Sequence, residues 1–321
     1  MALAIIIPTY EREHVIEEFL DEFLKLGALD REKLAIYIVD NASSNLRYGF
    51  LSQLANANSE IKYLKFDEKL VAHENYIRSL LVVEADYAVF CTDKDKLNTS
   101  VLLELHDMLH TLMPNFSCIF VNNSVQSHSR FKCSSYEMLF RRGFTCPHPT
   151  GYVFDIARFR EFINNCPEWA RRNNCFLFDI FYYDGLQRFS DHWDLGRALY
   201  IAEPPSEIVR IPSFSYTSPD TYYFSAKQRT KIAKIFLQYV SSTSPRWSIF
   251  SMLTSILICY RYIAVMKIWL PSALSDKNFV VHYQVSDTKS LFSLQGEPSL
   301  FTARPVTFTL ARLIFVLRYW R

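Results

Sequence analysis

Apolar and polar positions in the first half of the chain follow two alternating periods. Residues 3–7 (LAIII) form an unbroken apolar run stopped by Pro8, the pattern of a parallel strand buried on both faces. After it, Val15, Ile16, Phe19, Leu20, Phe23 and Leu24 recur at helical spacing with acids between them, and Gly27 ends that helix. Residues 34–39 (LAIYIV) predict a second strand and residues 61–66 a third, alternating one. Residues 71–84 read as a helix and 87–91 as the strand leading into FCTDKDKL. Leu102, Leu103, Leu109 and Leu112 mark another helix, closed by Pro114, and residues 118–121 a short strand. Strand and helix alternating through short connections predict βαβ crossovers and a mostly parallel sheet with helices on both faces.

The second half is less regular. Residues 124–150 show no clear period and read as loops or short strands carrying Arg130, Lys132, Arg141 and Arg142. Residues 152–162 predict a strand-to-helix unit, 174–189 a helix, and 199–202 and 208–211 short closing strands. From Ala226 the pattern is helical, so the expected division is an α/β domain over 1–225 and a helical appendage over 226–321. Residues 247–260 are strongly apolar between Arg246 and Arg261, yet shorter than the ~20 residues a bilayer demands. Near position 321, Val306, Leu310, Leu313, Ile314 and Leu317 form a stripe from which Arg304, Arg312 and Arg318 are absent. Such a helix either docks on the α/β domain or lies on an anionic membrane surface.

Composition narrows the classes. Half of the residues are apolar and 16% aromatic, with only 7 glycines, which excludes a low-complexity chain. A net charge of +2 gives no general reason to expect nucleic acid as a partner. The 7 cysteines are scattered without a Cys-x-x-Cys pair, as expected of reduced thiols rather than a disulfide framework or a zinc site. The opening MALAIIIPTYEREH lacks a basic leader and reads as a first core strand.

In a sheet of this kind ligands bind beyond the carboxyl ends of the strands. Three polar clusters fall there: residues 8–13, 40–44 and 92–96. Asp93 and Asp95, flanking Lys94, can place hard oxygens around a divalent cation, or can serve as turn residues before a helix cap at Asn98-Thr99-Ser100. Asp179 interrupts an apolar run (FLFDIFYYDGL), so its carboxylate is expected to be partly desolvated, either as a base or as a structural acid. His148 lies between two prolines, and His106 and His110 have i, i+4 spacing with no third metal ligand, as on a solvated helix face.

The succession IIIPTYERE, IYIVDNASS, HENYIRSLLVVEADY and AVFCTDKDKL resembles family 2 glycosyltransferases, whose nucleotide-sugar-binding sheet is the GT-A fold. The resemblance covers about residues 3–123, with weaker echoes to about 211. It implies that Pro8, Thr9 and Glu11 line the nucleotide pocket and that Asp40 recognises base or ribose. It also implies that Asp93 and Asp95 hold Mn²⁺ or Mg²⁺ on the diphosphate, Asp95 more directly. The base that deprotonates the acceptor is then Asp179, Asp184 or Asp191. Two positions depart from the family pattern: Asn41 stands where a second acid is common, and Lys94 splits the acidic pair. No Gln-x-x-Arg-Trp motif of processive synthases is present, so transfer of a single sugar is expected.

Taken together, the expectation is a cytoplasmic enzyme, peripheral on the inner face of the cell membrane. It would move one sugar from a nucleoside diphosphate sugar to a hydroxyl of a polyprenyl-diphosphate-linked glycan in surface polysaccharide assembly, with inversion. The rivals are a nucleotidyltransferase, disfavoured because PTYERE lacks glycine, and a catalytically silent sugar-nucleotide-binding scaffold partnering another glycosyltransferase.

Overall fold

The computed structural model describes residues 2–11, 13–44, 49–93, 96–97, 99–112, 118–120, 131–142, 150–171, 177–188, 192–194, 200–201, 226–243, 248–264 and 305–319. Two compact units emerge, the first built from residues 1–142, 146–167 and 177–204 and the second from 143–145, 168–176 and 205–321.

The first unit centres on a five-stranded sheet. Strands β1 (Leu3–Thr9), β2 (Leu34–Asp40), β3 (Ile61–Lys65) and β4 (Tyr87–Phe90) are parallel, and β8 (Val153–Asp155) joins β4 antiparallel, giving the order β3-β2-β1-β4-β8. Every residue of β1 is buried, which is why its sequence is an uninterrupted apolar run rather than an alternation. One face packs α1 (Glu13–Leu24), α3 (Gly49–Ala57) and α5 (Thr99–Leu112) through Ile16, Phe19, Leu20 and Phe23, Leu51, and Leu102 and Leu105, over Ile5, Ile7, Ile36 and Ile38. The opposite face is aromatic. Phe90 meets Tyr76 of α4 (Ala72–Leu81) at 4.9 Å and Phe178 of α9 (Leu177–Arg188) at 5.0 Å, and Phe154 lies 5.2 Å from Phe159 of α7 (Ile156–Asn165).

The remaining first-unit strands are short: β5 (Lys96–Leu97) pairs with β10 (Tyr200–Ile201), while β6 (Cys118–Phe120) and β7 (Phe131–Cys133) flank β9 (His192–Asp194). Helix α2 (Ala28–Arg31) follows Gly27, so that glycine separates two helices.

Residues 124–150, expected to be irregular, contain helix α6 (Ser135–Arg142). Its signal is a capping box: the Ser134 amide donates to Glu137 Oε2 at 2.8 Å and the Glu137 amide donates back to Ser134 Oγ at 3.4 Å. The expected strand at 208–211 lies outside the described residues.

In the second unit, α8 (Glu168–Arg171), α10 (Ala226–Thr243), α11 (Ile249–Ala264) and α12 (Pro305–Tyr319) are described. Helix α12 packs on α11: Phe308 and Ala311 are buried and the Phe315 ring lies 6.4 Å from Tyr260. The apolar stripe singled out in the sequence is therefore not the docking face. Among the described residues no helix is long and apolar enough to cross a membrane.

Candidate active site at the carboxyl edge of the sheet

Strand order reverses at β1, because β2 and β3 lie to one side and β4 to the other; the crevice of a doubly wound sheet opens at such a switch point. Pro8 helps to open it. Carbonyl oxygens alternate along β1: Ile6 O accepts from Cys91 N at 2.9 Å toward β4, and Thr9 O accepts from Asn41 N at 2.9 Å toward β2. The Pro8 nitrogen thus faces the β4 side, where pairing has ended at Ile6↔Phe90, so its missing N–H breaks no ladder.

Around this crevice the loops are locked to one another by buried polar groups. Asp40 is fully buried at the end of β2. Its Oδ1 accepts from Ser43 N at 2.9 Å and its Oδ2 from Tyr63 Oη at 2.7 Å, so both oxygens are held in a fixed direction. The Glu11 amide donates to Ser43 Oγ at 3.0 Å, while Glu11 Oε1 accepts from the Ser44 amide at 2.6 Å and hydroxyl at 2.8 Å. Two non-glycine residues at these tips are left-handed, Glu11 (φ 55°) and Ala42 (φ 63°). Such strained conformations cluster at ligand clamps and active sites.

Asn41 accounts for its own departure from a paired acid. Its side-chain amide clasps the backbone of the loop after β3, Nδ2 donating to Leu70 O at 2.8 Å and Oδ1 accepting from Leu70 N at 2.9 Å. A carboxylate lacks the donor for the first of these bonds. Oδ1 also accepts from Arg78 at 2.8 Å, and the Arg78 guanidinium lies 3.5 Å over the Phe66 ring. Burial lowers the Arg78 pKa from its ordinary value, and the Glu68 charge pulls it back. On the same loop, the Lys69 ammonium sits 3.8 Å from the Tyr10 ring centroid, and Lys65 donates to Ser43 O at 2.8 Å.

Across the crevice, Asp93 is buried at the end of β4, and its Oδ2 accepts from Tyr10 N at 3.4 Å. Beside it the Thr92 amide donates to Thr150 Oγ1 at 2.9 Å. Gly151, at φ 94°, makes that turn possible without a Cβ penalty and donates to Phe90 O at 2.9 Å. Tyr152 follows, and its hydroxyl donates to Asp179 Oδ1 at 2.5 Å. Asp179 is buried in the first turn of α9, as its apolar neighbours implied. Asp184, on the same helix, instead pairs with Arg188 at 2.8 Å.

Of the candidate residues, Pro8, Thr9, Glu11, Asp40 and Asp93 meet at one edge, and Tyr152 joins Asp179 to it. Asp95, Asp191, Lys94 and His148 lie outside the described residues. His106 and His110 are at the other end of the sheet, with rings 4.4 Å apart. His106 is buried while His110 is exposed, so only part of the expected solvated face is open to water. No group of three or more metal-ligating side chains occurs among the described residues. Sequence reasoning missed Tyr63, Asn41, Tyr152 and Thr150, whose roles depend on partners distant in the chain.

Residues 4–154 match the model of the family described as glycosyl transferase family 2. Those residues form a glycosyltransferase family 2 domain. No curated protein matches the chain. Among solved structures, the glycosyltransferase is similar to S. aureus TarS 1–349, at a TM-score of 0.61 and 13% identity, covering 100% of this chain and 92% of that one. TarS 1–349 in complex with UDP-GlcNAc matches at a TM-score of 0.61 and 15% identity, covering 100% and 93%. The longer S. aureus TarS structure matches at 0.60 and 14%, covering 98% of this chain and 55% of that one. At such identities the likeness is one of fold, and the glycosyltransferase has the GT-A-like sheet expected of it.

Proposed function

We propose that this glycosyltransferase moves a single hexose-type sugar from a nucleoside diphosphate sugar to a hydroxyl of a glycan carried on a polyprenyl diphosphate lipid, in surface polysaccharide assembly. The observation that carries the reading is the row of buried acids along one sheet edge: Asp40 at the end of β2, Asp93 in the loop after β4, and Asp179 tied to Tyr152 before β8. Three inter-strand steps separate β2 from β8, about 14 Å at roughly 4.8 Å each. That span suits an extended nucleotide at one end and its sugar at the other. TarS structures determined with UDP and with UDP-GlcNAc support the donor class.

The roles follow from chemistry. Asp40, its oxygens aimed by Ser43 and Tyr63, would accept hydrogen bonds from the base or ribose. Asp93, with Asp95, would hold Mn²⁺ or Mg²⁺: their hard carboxylate oxygens suit such an ion, which neutralises charge on a departing diphosphate. Asp179 would take the proton of the acceptor hydroxyl as that oxygen attacks the anomeric carbon from the face opposite the leaving group, which inverts the configuration. Tyr152 orients that carboxylate through its hydrogen bond. Asp184 is committed to an ion pair with Arg188, which argues against it as the base.

Asp179→Asn tests the assignment because asparagine keeps an oxygen for Tyr152 but cannot accept the proton. Transfer from a panel of sugar nucleotides should fall about 10²–10⁴-fold while calorimetric donor affinity stays near wild type. Turnover in the variant equal to wild type would remove Asp179 from the chemistry. Turnover unaffected by EDTA would remove the metal.

A further inference from the structure

Helix α12 is apolar on two sides. At about 100° per residue, Phe308, Ala311 and Phe315 share an arc of about 60°, and this side packs on α11. Val306, Leu310, Leu313 and Leu317 share a second arc, centred roughly 160° away. These four are 72%, 39%, 54% and 64% exposed. The docked side already anchors the helix to its unit, so the fold does not need the second stripe. Water is an unfavourable neighbour for it, since each such side chain gains on burial.

Charge selects the occupant. Residues 301–321 hold four arginines, Arg304, Arg312, Arg318 and Arg321, and no acid. The helix positions of Arg312 and Arg318 fall in the two seams between the docked side and the exposed stripe. A second copy packed stripe to stripe would bring arginine seams together with no carboxylate on the helix to pair them. A bilayer surface of anionic lipids supplies phosphate at the height of the seams and hydrocarbon beneath the stripe. Tyr319 and Trp320, next to each other in the sequence, are the residue types that favour the headgroup boundary. We propose that the Val306–Leu310–Leu313–Leu317 face of α12 docks the protein on an anionic lipid bilayer, lying in its plane. The proposal rests on α12 alone and stands whether or not the donor chemistry above is right.

The test is flotation of the full chain with vesicles of phosphatidylcholine alone or with about 30% phosphatidylglycerol. Wild type should float with the anionic vesicles, and release should follow added salt. The double variant Leu313→Glu/Leu317→Glu alters only exposed positions and should weaken partitioning at least about tenfold. Arg312→Glu should weaken it about fivefold or more at low salt. Hydrogen exchange on wild type needs no variant and should show vesicle-dependent protection over residues 305–319. Absence of wild-type flotation overturns the proposal. Equal binding to neutral vesicles overturns its anionic part. A dimer that Leu313→Glu dissociates, with no vesicle binding, assigns the face to a second copy instead. Donor hydrolysis measured in the same variants reports separately on the active site and should be unchanged.

Discussion

At their carboxyl ends β1, β2 and β4 hand over to Thr9, Asp40, Asn41, Thr92 and Asp93, all buried, with hydrogen bonds crossing from loop to loop. At their amino ends the same strands begin on Leu3, Leu34 and Tyr87. There backbone bonds extend the ladder, Leu3 N donating to Lys33 O, Ile36 N to Glu60 O and Ile156 N to Asp86 O, each at 2.8 Å. A cavity of about 20 Å³ at that end is lined by Leu3, Tyr87, His106 and Leu109 among others. Both ends share one apolar interior. What differs is where backbone strain is spent: Glu11, Ala42 and Gly151 carry positive φ at the first end. The lesson is that parallel strands supply a rigid platform, and among the described residues the left-handed backbone is concentrated in the loops at one edge.

The largest stability effect separating the two ends is expected far from the crevice. Leu109 is buried beside the amino-end cavity, so Leu109→Ala should cost about 2–5 kcal/mol of stability by enlarging it. Chemical denaturation should show that loss while donor affinity of the folded enzyme stays at the wild-type value. A matching fall in affinity would show that the two ends are coupled.

Next is Asn41→Asp, which restores the paired acid of the family pattern. It removes the donor to Leu70 O and sets a carboxylate against that carbonyl, with Arg78 offsetting part of the penalty. A loss of about 1–2 kcal/mol and a raised KM for donor are expected from melts and initial rates. Unchanged KM would mean that the loop after β3 does not touch the donor.

A smaller change tests whether strain is stored at the first end. Ala42 is left-handed, so Ala42→Gly trades a backbone penalty of about 1–2 kcal/mol against glycine's larger entropy loss of roughly 0.5–1 kcal/mol. A Tm equal to or slightly above wild type is expected, and a clear fall would show that Ala42 is not strained.

The smallest effect lies on the opposite end. Asp107 is held below its ordinary value by hydrogen bonds from His106 and then Lys33, the latter also an ion pair at 3.1 Å. Because its folded pKa is depressed, its contribution is present above the unfolded value of 3.8 and is lost as pH falls through the lower folded value. Lys33→Ala should flatten that part of the acid limb of a Tm–pH profile slightly, since exposed pairs are weak. An unchanged acid limb would show that the pair contributes nothing there.

Strands β1, β2 and β4 were legible because burial on both faces leaves continuous apolar runs, and α1 because its buried residues keep helical spacing. Helix α3, between β2 and β3, escaped notice; it buries only Leu51, too little to stamp a period on nine residues. Helix α6 escaped although Ser134 and Glu137 announced it, because its apolar pattern is short. The positions of Asp40, Asp93 and Asp179 followed from strand-end reasoning, family resemblance and an interrupted apolar run. Their partners did not follow. Nothing local to Asp179 points to Tyr152, 27 residues away, and nothing in PTYERE points to Asp93, 83 residues from Tyr10.

The amino-acid sequence alone determined the buried strands β1, β2 and β4, helix α1 and which acids fall at strand ends, because those properties depend on neighbours within a few residues. It also placed the arginines of α12 off its apolar stripe. Tertiary structure alone decided that Asn41 clasps Leu70, that Asp184 is tied to Arg188 within α9 while Asp179 meets Tyr152, and that the side of α12 carrying Phe308 docks while its leucine stripe is left outward. Those outcomes depend on distances between groups far apart in the chain, which local pattern cannot encode until the sheet and its helices have closed around them.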